Sequence, residues 1–312
     1  MSRWLGRSRA ERFSARTTEQ AVAALCGLED AAAPPVATLS YLEDFGTLPE
    51  GYCLRADPVH LRADTTGLIL FDATSLALGA EESRALIETL APHLARDGWT
   101  LSHRVPQRWY LSHGPLQDLR AASLPEVRGR AVATTHFAGG DAGNWVRRLN
   151  EIQMLMHDHK VNRARAAAGR PLINSLWLWG GGDSAHCPTE PQCNAVVADA
   201  AFARGSARHC ALADSPVPAT ARDLAVGTGQ SVLVLLEDCD SSAAYGDIGG
   251  WQSALQRLER EWFAPLLQRL GRRDIDVLEL LPLNGRRYRL TRRQLWSFWK
   301  RAGDYRAERG LR

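Results

Sequence analysis

Apolar positions recur at helical spacing through Trp145, Leu149, Ile152 and Met156, which predicts a helix with one apolar face. His159, Asn162 and Arg165 continue it in steps of three. At about 100° per residue each step drifts by about 60°, so the three span an arc of roughly 120° and point toward one site near the helix end. Gly169 fits a C-terminal cap, and Pro171 prevents the helix from resuming. Leu172 to Trp179 is short and apolar, as in a strand buried on both faces, with Trp177 and Trp179 on the same side. Gly180, Gly181 and Gly182 then read as a loop whose backbone N–H groups approach an anion. A sharp strand exit with no ligand is the competing reading, since the Gly-Lys-Ser/Thr of a phosphate-binding P-loop is missing.

The same patterning extends along the chain. Residues 1–35 read as helical, with Ala21 to Leu28 the first apolar patch and Pro34–Pro35 a break. Leu68 to Phe71 is a strand, Ala80 to Arg96 an amphipathic helix with its acidic residues first, and Thr100 to Ser112 two short strands. Together residues 50–135 form a small α+β unit, and Ala138 to Gly143 a hinge. Beyond the glycines, Asn194 to Arg204 reads as helix, Ser231 to Leu236 and Asp276 to Leu281 as strands, and Ile248 to Leu270 as one long helix. This order predicts an α/β fold: a mostly parallel sheet flanked by helices, with a smaller α+β lobe. The expected division is 1–143, an N-terminal helical segment plus the small lobe, and 144–312, an α/β core with a basic C-terminal helix.

Composition narrows the function classes. The 312 residues are 45% apolar and 23% charged, ordinary for a globular protein. The net charge of +3 demands no nucleic-acid role. Lys160 and Lys300 are the only lysines, so 36 of the 38 basic residues are arginine, a bias that suits bidentate anion contacts and equally reflects codon usage. No apolar run reaches the roughly 18 residues of a membrane span, and the basic N-terminus lacks a secretory apolar segment. A cytoplasmic location with six reduced cysteines is expected. The tail from Asn284 holds ten basic and two acidic residues interleaved with Trp296, Phe298 and Trp299. It reads as an amphipathic helix, Thr291 to Arg301, or as a binder of nucleic acid or an acidic surface.

Candidate chemistry falls in three places. Carboxylates cluster after the Ser231–Leu236 strand, at Glu237, Asp238, Asp240 and Asp247, as in metal or catalytic sites. Arg62 is placed to meet an anion, or else to pair with Asp57. His186, Cys187, Cys193, His209 and Cys210 fit no standard zinc spacing.

The run His159, Val161, Asn162, Arg165, Gly169, Asn174, Ser175, Trp177, Leu178, Trp179, Gly180 and Gly182 resembles the archaeal-type, cofactor-independent phosphoglycerate mutases of the alkaline phosphatase superfamily. In the place of their Pro and Gln stand Lys160 and Gly181. The chain is still more similar to the proteobacterial RpfE-type regulatory proteins, notably over YCLRADPVHLRAD, RWYL and the stretch above. The resemblance implies an alkaline phosphatase-like core remnant. It also implies an anion pocket formed by Arg62, His159, Asn162, Arg165, Asn174, Gly180, Gly181, Gly182 and Asp183. In register with the mutases, Glu237, Asp240, Gly246 and Asp247 are kept, but the metal-binding His position is Ala244. The mutases' opening Asp-Gly ligand and nucleophilic Ser have no counterpart in residues 1–50. Asp240 is then a remnant that caps a turn, and no metal, cofactor or catalytic residue is expected. A non-catalytic regulatory protein binding an anionic or phosphorylated ligand or a protein partner follows, with nucleic acid and membrane not expected. The alternatives are an active metal-dependent phosphoglycerate mutase or phosphatase, and an interaction module using the basic tail.

Overall fold

The computed structural model describes residues 7–29, 32–65, 67–115, 117–132, 137–182 and 189–295. Its organising strand is β2 (Tyr52–Asp64), which follows β1 (Arg9–Arg12) and helices α1 (Thr18–Cys26) and α2 (Val36–Phe45). At thirteen residues β2 holds three partners, all antiparallel: β5 (Arg108–His113) along Tyr52–Arg55, β9 (Ser175–Gly182) along Cys53–Val59, and β3 (Gly67–Asp72) along Val59–Asp64. The hairpin partner β4 (Thr100–Val105) and the short β7 (Ala131–Val132) complete a six-stranded sheet. Helix α3 (Ala80–Ala95) lies between β3 and β4. The short β6 (Arg120–Ala121), α4 (Leu124–Val127) and β8 (Phe137–Ala138) surround β7 in sequence.

Alternation along β9 divides the core into two layers. Leu176 and Leu178 join α3 and α5 (Ala142–His157) on one face, with Trp145, Leu149, Ile152 and Met156 buried as their spacing requires. Trp177 and Trp179 join α1, α2 and α7 (Ala201–His209) on the other, where Gly205 lets α7 approach Leu39 of α2. Between α5 and α7 run α6 (Lys160–Ala167), β9 and β10 (Ala195–Val197).

The expectation of a mostly parallel sheet is therefore incorrect. Among the strands of the described residues only β10 pairs in parallel, with β11 (Ala213–Ser215) and β12 (Val232–Val234), three residues on each side, beside an isolated parallel bridge between Leu70 and Arg128. The apolar run of β9 signalled burial on both faces, which parallel sheets usually have. Here helices cover both faces of an antiparallel ladder, so the burial pattern is the same and the strand direction differs. This β2–β9 ladder joins the chain on both sides of residue 143.

Downstream of β12 come α8 (Asp240–Ala244), α9 (Ile248–Leu258), α10 (Ala264–Arg272), the hairpin β13 (Val277–Leu280) and β14 (Arg286–Thr291), and α11 (Arg292–Leu295). β1 pairs with β14. The single helix expected over Ile248–Leu270 is interrupted by a π turn at Glu259–Phe263. Pro265 has no N–H to give the Glu261 carbonyl, which instead accepts Ala221 N–H at 2.9 Å and the Thr220 hydroxyl at 2.8 Å. The helix expected from Asn194 begins at Ala201, because Ala195–Val197 is recruited into the parallel sheet. Among the described residues no helix is long and apolar enough to cross a membrane.

Candidate functional site

The sequence candidates gather where α5, α6 and β9 meet. The helix expected through Arg165 breaks at Asp158, and His159 caps α6: its Nδ1 accepts the Val161 N–H at 3.2 Å. Burial and the neighbouring Lys160 hold the His159 imidazole below the ordinary histidine pKa. It is therefore neutral, with Nε2 3.0 Å from the Thr89 hydroxyl. Asn162 donates to the carbonyls of Met156 and Ile173 at 2.7 and 2.8 Å and accepts the Ile173 N–H at 2.8 Å, closing the turn between α6 and β9. Arg165 has a fully buried side chain. Its Nε donates to Pro171 O at 2.7 Å, Nη2 to Leu76 O at 2.7 Å and Nη1 to Glu82 at 2.8 Å. Burial raises the Glu82 pKa, but the Gly79 N–H and Arg165 outweigh it and leave the carboxyl below its usual value.

Asn174 extends the β2–β9 ladder with its side chain, accepting the Leu61 N–H at 2.8 Å and donating to the Leu61 carbonyl at 2.9 Å. The three glycines belong to β9, with Gly180 at φ +62°. A Cβ on Gly180 would lie 2.9 Å from Val36 Cβ, on Gly181 1.9 Å from the Tyr52 hydroxyl, and on Gly182 2.5 Å from Pro35. The run thus admits the N-terminus of α2, where Thr38 donates to Gly182 O at 2.9 Å. Arg62 is exposed and stacks on Phe71 at 4.7 Å. The alternative pairing of Arg62 with Asp57 is replaced: Asp57 is buried and takes Arg55 on both oxygens, with Trp179 Nε1 at 2.7 Å. Asp183, His186, Cys187, Trp296, Phe298 and Trp299 lie outside the described residues.

A second assembly forms after β12. Arg128, which follows α4, reaches Asp72 at the end of β3 at 3.6 Å and pairs closely with Asp240 of α8. Asp72 is buried, accepts the Ser75 N–H at 2.8 Å, and donates its own N–H to the Tyr245 hydroxyl at 3.0 Å. Tyr245 stacks on Phe71 with centroids 5.8 Å apart. Gly129, at φ +69°, makes the approach possible: a Cβ there would sit 2.1 Å from Ala244 O. Glu237 is exposed as a residue, yet desolvation of its carboxyl, then Asp240, push it up to about 7 against the pull of Arg128. Burial likewise raises Glu19 of α1, with Glu126 and Asp240 adding to it.

Sequence reasoning found Glu237 and Asp240 here and missed Arg128, Asp72 and Tyr245. A basic residue after a one-turn helix carries no local signal of a partner on a distant segment. Gly129 offered the one clue, a residue tolerating positive φ and close contact. No group of three or more His, Cys, Asp or Glu among the described residues is placed to hold a metal ion. Cys26, Cys53, Cys193 and Cys239 are free. Cys210 is in a disulfide, which corrects the expectation of thiols throughout.

No family model and no curated protein matches the chain. Among solved structures it is similar to a cofactor-independent phosphoglycerate mutase from Thermoplasma acidophilum DSM 1728, at 18% identity, over 82% of this chain and 74% of that one, with a TM-score of 0.38. It is also similar to the PH0037 protein from Pyrococcus horikoshii, at 11% identity, over 84% of this chain and 70% of that one, with a TM-score of 0.43.

Proposed function

We propose that the chain is a non-catalytic regulatory protein of the RpfE type, related to phosphoglycerate mutases, that binds an anionic or phosphorylated ligand or a protein partner. The observation that supports this is Arg128. Where the sequence resemblance would put a metal ion beside Asp240, a guanidinium from the chain itself faces Asp240 and Asp72. A fixed organic cation balances the carboxylates but has no open coordination position to polarise a phosphoryl oxygen. Ala244, at the position of a metal-binding His, adds no ligand. Anion binding at Arg165 would require it to release Pro171, Leu76 or Glu82, whereas the exposed Arg62 is accessible as it stands.

A metal-dependent mutase or phosphatase is the second reading, and Glu237 favours it. A carboxyl titrating at about 7 has the proton affinity of a general acid or base. Metal analysis of the purified protein, together with assays on 3-phosphoglycerate and a generic phosphate ester, separates the two. The non-catalytic reading expects substoichiometric metal and no turnover; stoichiometric metal with turnover overturns it.

A further inference from the structure

Two buried cysteines have no part in the Arg128 assembly. Cys26 is the last residue of α1 and is fully buried, and Cys193, just ahead of β10, retains 6% exposure. Both are free thiols in one hydrophobic cluster. The backbone brings them together. Gly27 closes α1 at φ +83°, and a Cβ there would lie 2.3 Å from Thr189 O, so residues 189–193 run directly against the helix end. The Leu25 carbonyl accepts the Gln192 N–H at 2.8 Å and the Cys193 thiol at 3.8 Å, and the Thr189 hydroxyl donates to Gly27 O at 3.1 Å. The two thiols themselves share a hydrogen bond.

Buried cysteines often only fill space. Cys53 does so: it packs with Ala37 and Tyr110, and burial pushes its thiol up to about 12. The Cys26–Cys193 pair differs. The hydrogen bond from Cys26 holds the Cys193 thiol below its ordinary value against the effect of burial. The same bond, with burial, pushes Cys26 up. Since the thiolate is the nucleophile, Cys193 is the attacking sulfur and Cys26 the neighbour that completes a bond to it. Cys210 packs against the same cluster and is already in a disulfide.

We infer that Cys193 and Cys26 form a peroxide-reactive dithiol, a site of reversible oxidation whose disulfide ties α1 to the segment entering β10. The Cys193 thiolate attacks one oxygen of hydrogen peroxide, the O–O bond breaks, and a sulfenic acid and hydroxide result. The Cys26 sulfur then attacks the Cys193 sulfur: the S–S bond forms, the S–O bond breaks, and the oxygen leaves with the Cys26 proton as water. The proton first lost from Cys193 neutralises the hydroxide. Two thiols and one peroxide thus give one disulfide and two waters, with both sulfurs oxidised and the peroxide reduced. A thiol reductant reverses the bond. The disulfide closes more than half of the chain into a loop, so it restricts the unfolded state and raises stability.

The test treats the reduced full chain with hydrogen peroxide, alkylates the remaining thiols, and maps them by peptide mass spectrometry. A peptide joining Cys26 to Cys193 is expected, formed at least tenfold faster than any loss of the Cys53 or Cys239 thiol. The urea midpoint should rise on oxidation and return with dithiothreitol. In Cys26→Ser, the sulfenic acid persists, so dimedone labels Cys193 and the midpoint no longer rises. Cys239→Ser should behave as the parent does. Free Cys26 and Cys193 after millimolar peroxide, either residue joined to a different cysteine, or a cross-link that leaves the midpoint unchanged overturns the inference. The cross-link is read on the parent, so a variant that fails to fold does not blunt the test. Metal content and turnover are separate readouts, so failure here is distinguishable from failure of the functional reading above.

Discussion

Arg165 is fully buried and Arg128 partly buried, and they do different things. Arg165 ties three segments together: the Leu76 carbonyl, Glu82 at the start of α3, and the Pro171 carbonyl ahead of β9. Arg165→Ala orphans two carbonyls at about 1–3 kcal/mol each, so it lowers stability in urea by about 3 kcal/mol or more with no ligand present. A ligand-free stability equal to that of the parent would remove the structural account of this residue. Arg128 instead compensates carboxylates from two distant segments. Arg128→Met leaves the buried Asp72 uncompensated at a cost of about 3 kcal/mol, below the full penalty of a buried pair because Asp240 is half exposed. The same variant exposes carboxylates that a divalent cation can neutralise. We expect Mn²⁺ to raise its melting temperature and to leave that of the parent unchanged; no gain in the variant argues against Arg128 as the resident cation.

Elements here are held at distances that only glycine permits. α7 packs on α2 through Gly205, where a Cβ would lie 1.8 Å from Leu39 O, a backbone atom that cannot swing aside. β9 accepts Tyr52 and the start of α2 through Gly181 and Gly182. Overpacking of this kind costs about 1–3 kcal/mol, and more where backbone must move. Gly205→Ala and Gly181→Ala should each lower the denaturation midpoint by at least that equivalent. The control is Gly143→Ala in α5, which has nothing within 4 Å and should be neutral or stabilising. Indifference of both packed sites to alanine would contradict the close approach of α2. The π turn between α9 and α10 follows the same logic, because Thr220 and Ala221 take up the Glu261 carbonyl that Pro265 leaves free.

For the whole molecule, Glu237 makes stability depend on pH near neutrality. Its carboxyl titrates at about 7 in the folded chain against an ordinary value of 4.5. The folded state therefore holds the proton more tightly than the unfolded state. The stabilisation is complete below 4.5 and is lost as pH rises through about 7. Glu237→Gln should raise the melting temperature at pH 8, leave it nearly unchanged at pH 4.5, and flatten the profile between. A parent profile already flat from pH 5 to 8 would show that Glu237 does not titrate in this range.

The one-sided helix through Trp145, Leu149, Ile152 and Met156 and the doubly buried strand with Trp177 and Trp179 were legible in the sequence. Both follow from local periodicity acting on burial, whichever partner supplies the cover. The cap at Gly169 and the acidic cluster at Glu237 and Asp240 were legible for the same local reason. Tertiary structure alone decided the direction of the sheet, because burial on both faces does not distinguish a parallel from an antiparallel neighbour. It also decided that the donors of Asn162 and Arg165 bond to chain carbonyls and, for Arg165, to Glu82, that the three glycines admit α2, and that Arg128 reaches Asp240. The Leu76 and Glu82 partners of Arg165, the glycine contacts with α2 and the Arg128–Asp240 pair join groups far apart in sequence, and the nearer bonds of Asn162 and Arg165 exist only because the chain turns between α6 and β9.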